Sequence, residues 1–347
     1  TCALPISRTL SDNWEIIALV HNAELVGIDG IQYIEFPKAK KSWIQRLYFE
    51  FWKFNELSQQ LNADYWLSLH DISPRVSTPR QSVYCHNPSP FYKPRLREVL
   101  WEPSFYLFCL FYRYLYRINI HANEYVIVQQ DWIRQSFKRM YKLTDVVVAH
   151  PIENEPDFNK ESTDIHQPKE KKPSDCKIFL YPALPRVFKN FEIACEAAAN
   201  IYSNGHRNFE LRLTISGHES RYARYIHQRF KHIPAIRFIG RQKPNEMIQQ
   251  YQQATAVIFP SKLETWGLPI SEAKIHGKPI LLANLPYAHE ALGGYDKVCF
   301  FDPDDQETLA LLMRQHISDE IEYAETNDLK PINLFAPNWD KLLKILL

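Results

Sequence analysis

The sequence predicts an α/β protein made of two halves, each a parallel sheet flanked by helices. Short apolar runs alternate with amphipathic stretches at helical spacing along most of the chain. Two such series are separated by a polar, Pro-punctuated segment, residues 151–175, with the makeup of a linker. At 347 residues the chain is long for one core and comfortable for two domains.

In the first series, residues 14–20 (WEIIALV) and 30–36 (GIQYIEF) read as strands. Residues 41–61 then carry Ile44, Leu47, Phe51, Phe54, Leu57 and Leu61 at helical spacing. Strand 65–69 runs into His70-Asp71 and strand 81–85 into His86-Asn87. Ligands gather at the carboxyl ends of parallel strands, so these two pairs place polar groups at one edge. Strand 125–129, helix 132–141 and strand 146–149 complete the half. The second series has strands at 177–181, 209–215, 236–239, 256–259, 279–283 and 298–301, a helix over 191–202, and a last helix at 339–347 after a long polar connection. The expected divisions are 1–152, 176–330, and a C-terminal helix, 331–347, packing back on the first half.

The second series centres on residues 259–279, FPSKLETWGLPISEAKIHGKP. The buried strand before it stops at Pro260, an exposed loop follows, and a helix starts near Leu268 with Pro269 in its first turn, where a missing N–H costs nothing. Gly277 is the expected left-handed stop before Pro279. Such a helix start presents N–H groups and partial positive charge to an anion, and Gly267 lets a phosphate approach closely. Glu264 and Glu272 bracket this point and suit hydroxyl groups better than phosphate. An ordinary βα turn with solvated glutamates is the plainer alternative.

In the form E-x-x-G-L-P-x-x-E-A, this string resembles the E-x7-E signature of the retaining GT-B glycosyltransferases of family 4 (glycosyltransferase group 1), of the surface-polysaccharide or O-antigen kind. The resemblance runs over residues 64–303 and is strongest from 177 on. It implies two Rossmann-like domains facing across a cleft, and a nucleotide diphosphate-sugar donor with no cofactor and no metal. It also implies a saccharide or lipid-linked acceptor, and the scattered cysteines read as reduced thiols of a cytoplasmic protein. Glu272 is then expected on the ribose and Glu264 on the donor sugar, with Gly267, Leu268 and Pro269 at the phosphates. Lys189-Asn190 resembles the Lys that contacts the diphosphate. The family's Arg five or six residues earlier is replaced by Leu184 and Ala183, which leaves Arg186 as its substitute. His86 is similar to a first-domain His near donor sugar and acceptor, with His70 and Asp71 as weaker acceptor-side candidates. A nucleotide-sugar epimerase and a non-catalytic nucleotide-sugar binding subunit are the alternatives.

Composition narrows the partners. A net charge of +1 argues against a nucleic-acid partner. Six scattered cysteines without a C-x-x-C pair suggest neither a zinc site nor a disulfide framework. Residues 91–120 are crowded with aromatics interleaved with Arg95, Arg97, Arg113 and Arg117. That pattern fits either peripheral contact with the inner face of a membrane or a core helix with snorkelling arginines. Only residues 1–13 precede the first strand, and TCALPI reads like a translated sequencing adapter. The expectation is a truncated first domain. The natural chain would lack residues 1–6 and carry about 25–40 others there, enough for one strand, loop and helix. The chain as given is then expected to have an uncovered strand flank and poor activity.

Overall fold

The computed structural model describes residues 14–25, 28, 30–40, 42–151, 176–328 and 330–347. The expectations about residues 1–13 and about nearly all of the linker fall outside them. Along the chain the described strands are β1 (Ile17–Val20), β2 (Gln32–Glu35), β3 (Tyr65–Ser68), β4 (Arg80–Cys85), β5 (Tyr125–Val128), β6 (Val146–Ala149), β7 (Lys177–Tyr181), β8 (Phe209–Leu213), β9 (Ile236–Phe238), β10 (Ala256–Phe259), β11 (Ile280–Ala283), β12 (Val298–Phe301) and β13 (Phe335–Ala336). Unit 1 comprises the described residues of Thr1–Phe91, Leu110–Glu153 and Pro331–Leu347. Unit 2 comprises those of Tyr92–Cys109 and Asn154–Lys330.

Unit 1 holds a parallel sheet in the order β13-β6-β5-β4-β3 and a separate parallel pair, β1-β2. A cavity of about 920 Å³ is lined by residues of both β1 and β3. The helix expected over 41–61 is interrupted: Trp43–Tyr48 and Phe54–Leu61 are α-helical, and Phe49–Lys53 between them is a π turn. The wider turn fits Phe49 and Phe54 edge-on or tilted around Phe36 and each other. It also buries Glu50, whose carboxyl burial pushes up to about 7 against the opposing pull of Arg46.

Sequence periodicity missed β13, two residues long, because its signal is tertiary. Phe335 and Ala336 pair with Val148 and Ala149, and Arg134 donates to the carbonyls of Ile332 and Asn333. The helix Trp339–Leu346 then buries Trp339, stacked on Tyr84 at 5.8 Å, with Leu342 and Leu346 in the same cluster.

Unit 2 has one parallel sheet in the order β12-β11-β10-β7-β8-β9. Its first strand, β7, lies beside its fourth, β10, so the winding reverses between them. In doubly wound sheets this switch point opens a crevice at the carboxyl ends of the strands. The segment Tyr92–Cys109, which the sequence order places in the first half, packs with unit 2. Trp101 stacks on Tyr225 at 4.5 Å, Phe105 meets Phe188 at 5.1 Å, and Glu98 faces Lys262 at 3.8 Å.

Under this sheet, His316 is buried against Phe179 and shares a hydrogen bond with Thr255. Burial first, then the nearby Lys177 charge, lowers its pKa to about 4. The unfolded chain takes up this proton near pH 6.5 and the folded one near 4, so stability held above pH 6.5 is lost as pH falls between those values. His316→Phe should flatten the dependence of unfolding free energy on pH in that window by about 1.4 kcal/mol per pH unit. Denaturant titrations at several pH values read this directly, and an unchanged slope would contradict it.

Candidate functional site

The site is built where the loops after β7 and β10 meet. After β7 the chain passes through Pro182 and Pro185 into a 3-10 turn, Val187–Lys189, and then Asn190 in the left-handed region (φ 57°) starts the helix Phe191–Ser203. Asn190 donates through its side-chain amide to the carbonyls of Pro260, after β10, and Pro303, after β12. The Lys262 N–H donates to the Phe188 carbonyl at 2.7 Å, and the Tyr181 hydroxyl donates to the Lys189 carbonyl. One backbone bond and the Asn190 side-chain amide therefore stitch the two loops together, apart from any pairing between Lys189 and Glu264.

Within this frame the Lys189 ammonium is paired with the Glu264 carboxylate, and both side chains are largely shielded from solvent. Lys189 also lies over the rings of Phe188 and Phe259, at 5.6 and 5.5 Å. The loop carrying Glu264 is held from below by Tyr287, whose hydroxyl donates to the Ser261 carbonyl at 2.6 Å. Burial, and then the negative charge of Glu264, raise the phenols of Tyr181 and Tyr287 well above their ordinary value, so both stay neutral donors. A shielded ion pair at a switch point is a charge store. A ligand bearing both an anionic and a hydroxyl-rich part can take the two partners separately.

Gly267 precedes the helix Leu268–Ile275 with φ +88°, a region that side chains other than glycine's disfavour. A Cβ here would also stand 3.0 Å from Ile270 Cδ1. Pro269 has no N–H, and the Ile270 N–H is spent on the Gly267 carbonyl, which narrows the expected amide cradle to Gly267 and Leu268. Gly277, at φ +63°, follows the end of the helix as expected.

On the same helix, Glu272 accepts a 2.6 Å hydrogen bond from Tyr251, whose ring stacks on His276. Burial, and then the Glu272 charge, keep the Tyr251 phenol protonated. Tyr251 thus fixes the Glu272 carboxylate, a contact that sequence reasoning missed. It lies 21 residues before its partner, and no local spacing announces the contact. If Glu272 holds a ligand hydroxyl, Tyr251→Phe should raise the donor KM about fivefold with kcat unchanged. A fall in kcat at constant KM would contradict that role.

Arg186 is already engaged: its guanidinium lies 3.4 Å from Glu102 and over the rings of Phe105 and Phe188. Lys262, a cation in the motif loop to which sequence reasoning gave no role, is tied to Asp304 at 3.0 Å and to Glu98. Lys189 is thus the cation that the fold aims at Glu264.

The first-half candidates lie in unit 1. Asp71 is buried in the left-handed region (φ 68°), and its Oδ1 accepts from the His86 N–H, the Asn87 N–H and the Tyr116 hydroxyl. Asp71 therefore anchors the turn that presents His86. The His86 ring is exposed, with Nδ1 3.7 Å from the same oxygen. The His70 carbonyl is fixed by the Arg46 guanidinium at 2.8 Å.

Comparison with known proteins places the chain among glycosyltransferase-like sequences and folds. The chain is 22% identical over 233 residues to the O-antigen chain mannosyltransferase RfbU of Salmonella typhimurium, covering 66% of this chain and 58% of that protein. It is 26% identical over 110 residues to the D-inositol 3-phosphate glycosyltransferase of Corynebacterium urealyticum, covering 32% of this chain and 26% of that one. The chain thus spans less than two thirds of the curated relatives it matches. Among solved structures, WaaG, a glycosyltransferase involved in lipopolysaccharide biosynthesis, superposes with a TM-score of 0.60 at 14% identity, over 91% of this chain and 84% of that one. The chain has the GT-B fold class, and its residues 162–329, which include Lys189, Glu264 and Glu272, match the family described as Glycosyl transferases group 1.

Proposed function

We propose that the chain is a retaining, metal-independent glycosyltransferase of the family 4 kind, with the E-x7-E pair Glu264 and Glu272. It moves a sugar from a nucleotide diphosphate-sugar to a saccharide or lipid-linked acceptor on the cytoplasmic side of the membrane. The observation that carries this reading is the Lys189–Glu264 pair at the switch point of the second sheet. The names of the O-antigen and lipopolysaccharide relatives support surface-polysaccharide assembly as its setting.

On this reading the donor diphosphate takes the Lys189 ammonium together with the Gly267–Leu268 amides and displaces Glu264. The freed carboxylate turns to the sugar hydroxyls and to the positive charge that develops at the anomeric carbon. Glu272, steadied by Tyr251, holds the ribose. Transfer breaks the bond between the anomeric carbon and the phosphate oxygen and forms one to the acceptor oxygen on the same face. The acceptor proton passes to the leaving phosphate. Lys189 supplies the charge stabilisation that Mg²⁺ supplies in other enzymes.

The test is release of nucleoside diphosphate from a panel of nucleotide sugars, with and without saccharide acceptors and with EDTA. The expected result is acceptor-dependent release that survives EDTA and gives a product of unchanged anomeric configuration. Interconversion of the donor without an acceptor would favour an epimerase. Nucleotide binding without any turnover would favour a binding subunit.

A further inference from the structure

The short helix Leu96–Trp101 and the residue that ends it, Glu102, belong to unit 2 together with the switch-point loops. Glu98 and Glu102 stand four residues apart, about one helical turn, so both project from one face. Their side chains are only 12% and 13% exposed. That face touches both loops of the switch point. Glu102 reaches the loop after β7 with both oxygens: Oε1 lies 3.4 Å from Arg186 Nε, and Oε2 accepts the Val187 N–H at 3.3 Å. Glu98 reaches the loop after β10, 3.8 Å from the Lys262 ammonium, and is itself held by the Tyr92 hydroxyl, which donates to it at 2.8 Å.

Both contacts fall beside the candidate chemistry. Val187 opens the 3-10 turn that ends in Lys189, and Lys262 stands two residues before Glu264. The Lys262 N–H bond to the Phe188 carbonyl then closes a ring from one loop, through the helix, to the other. The helix does not need these charges to stay seated. Trp101 stacks on Tyr225 and Phe105 packs on Phe188, apolar contacts that hold it already. Exposed ion pairs add little net stability, and shielded ones lose much of their attraction to desolvation. What two carboxylates on one helix face do supply is a fixed position for each loop. Position matters here, because a shift of about 1 Å at a reacting group can cost about 10²-fold in rate.

We propose that Glu98 and Glu102 are positioning residues that brace the two loops and set the placement of Lys189 relative to Glu264. Glu102 acts on Lys189 through the 3-10 turn, and Glu98 acts on Glu264 through Lys262. Neither carboxylate touches the donor. This role rests on the proposed reading of Lys189 as the cation of the donor site.

A double-mutant cycle on sugar transfer, read beside amide hydrogen exchange, tests this. Glu102→Gln keeps an oxygen for the Val187 N–H but gives up the charge that holds Arg186. It should lower kcat about tenfold with its circular dichroism spectrum and elution volume unchanged. Added to Lys189→Met it should cost less than about a further twofold, because the group it positions is gone. In Glu98→Gln/Glu102→Gln, exchange should rise at least about fivefold in peptides covering 185–190 and 261–267 and stay unchanged in the strands of the same unit. Wild-type kcat in Glu102→Gln, a second full tenfold loss in the Lys189→Met background, or unchanged exchange in those two peptides overturns the brace and leaves the donor-site reading standing. A Lys189→Met variant as active as the wild type overturns that reading, and the positioning role with it.

Discussion

Lys189→Met is expected to reduce sugar transfer by about 10²- to 10³-fold, the cost of removing one preorganised positive group from a developing charge. The same change leaves Glu264 shielded from water without its cation. Breaking a buried pair by removing one partner costs about 3–5 kcal/mol, so the single variant should also unfold at lower denaturant concentration. The two effects separate in the double variant Lys189→Met/Glu264→Gln. With no charge left unpaired, most of the stability should return while the activity stays lost. Recovery of activity together with stability would reduce the pair to a structural tie.

Glu264→Gln should move binding and catalysis in opposite directions. In the ligand-free chain Glu264 competes with any anion for Lys189. An uncharged isostere removes the competitor, and nucleoside diphosphate should bind up to about tenfold more tightly. The transition state loses the carboxylate that faces its positive charge, so kcat should fall about 100-fold. Tighter diphosphate binding with slower transfer is not the signature of a disordered loop. Weaker diphosphate binding with unchanged kcat would remove Glu264 from the assigned role.

The sequence made the second unit legible because its signals are local. The strands at 177–181 and 298–301 are where the apolar runs place them, and Gly267, Pro269 and Gly277 frame their helix as their backbone preferences dictate. What escaped depends on contacts far apart in the chain. Arg186 reads as a free cation until Glu102, 84 positions earlier, is seen beside it. Asp71 reads as a ligand group until its oxygen is found capping two amides and a phenol. The π turn at Phe49–Lys53 is invisible to periodicity because one wider turn changes the register without breaking the apolar pattern. The pairing of β13 with β6 needs a partner some 190 residues away.

The central claim is that the β7–β10 switch point binds a nucleotide diphosphate through Lys189. Thermal unfolding of the chain with UDP, GDP and ADP, and with the corresponding monophosphates, tests it most directly. One diphosphate should stabilise the chain by about 2.7 kcal/mol at 100 times its Kd, its monophosphate much less, and the Lys189→Met/Glu264→Gln variant should not respond. Indifference of the chain to every diphosphate, or an undiminished response in that variant, would contradict it.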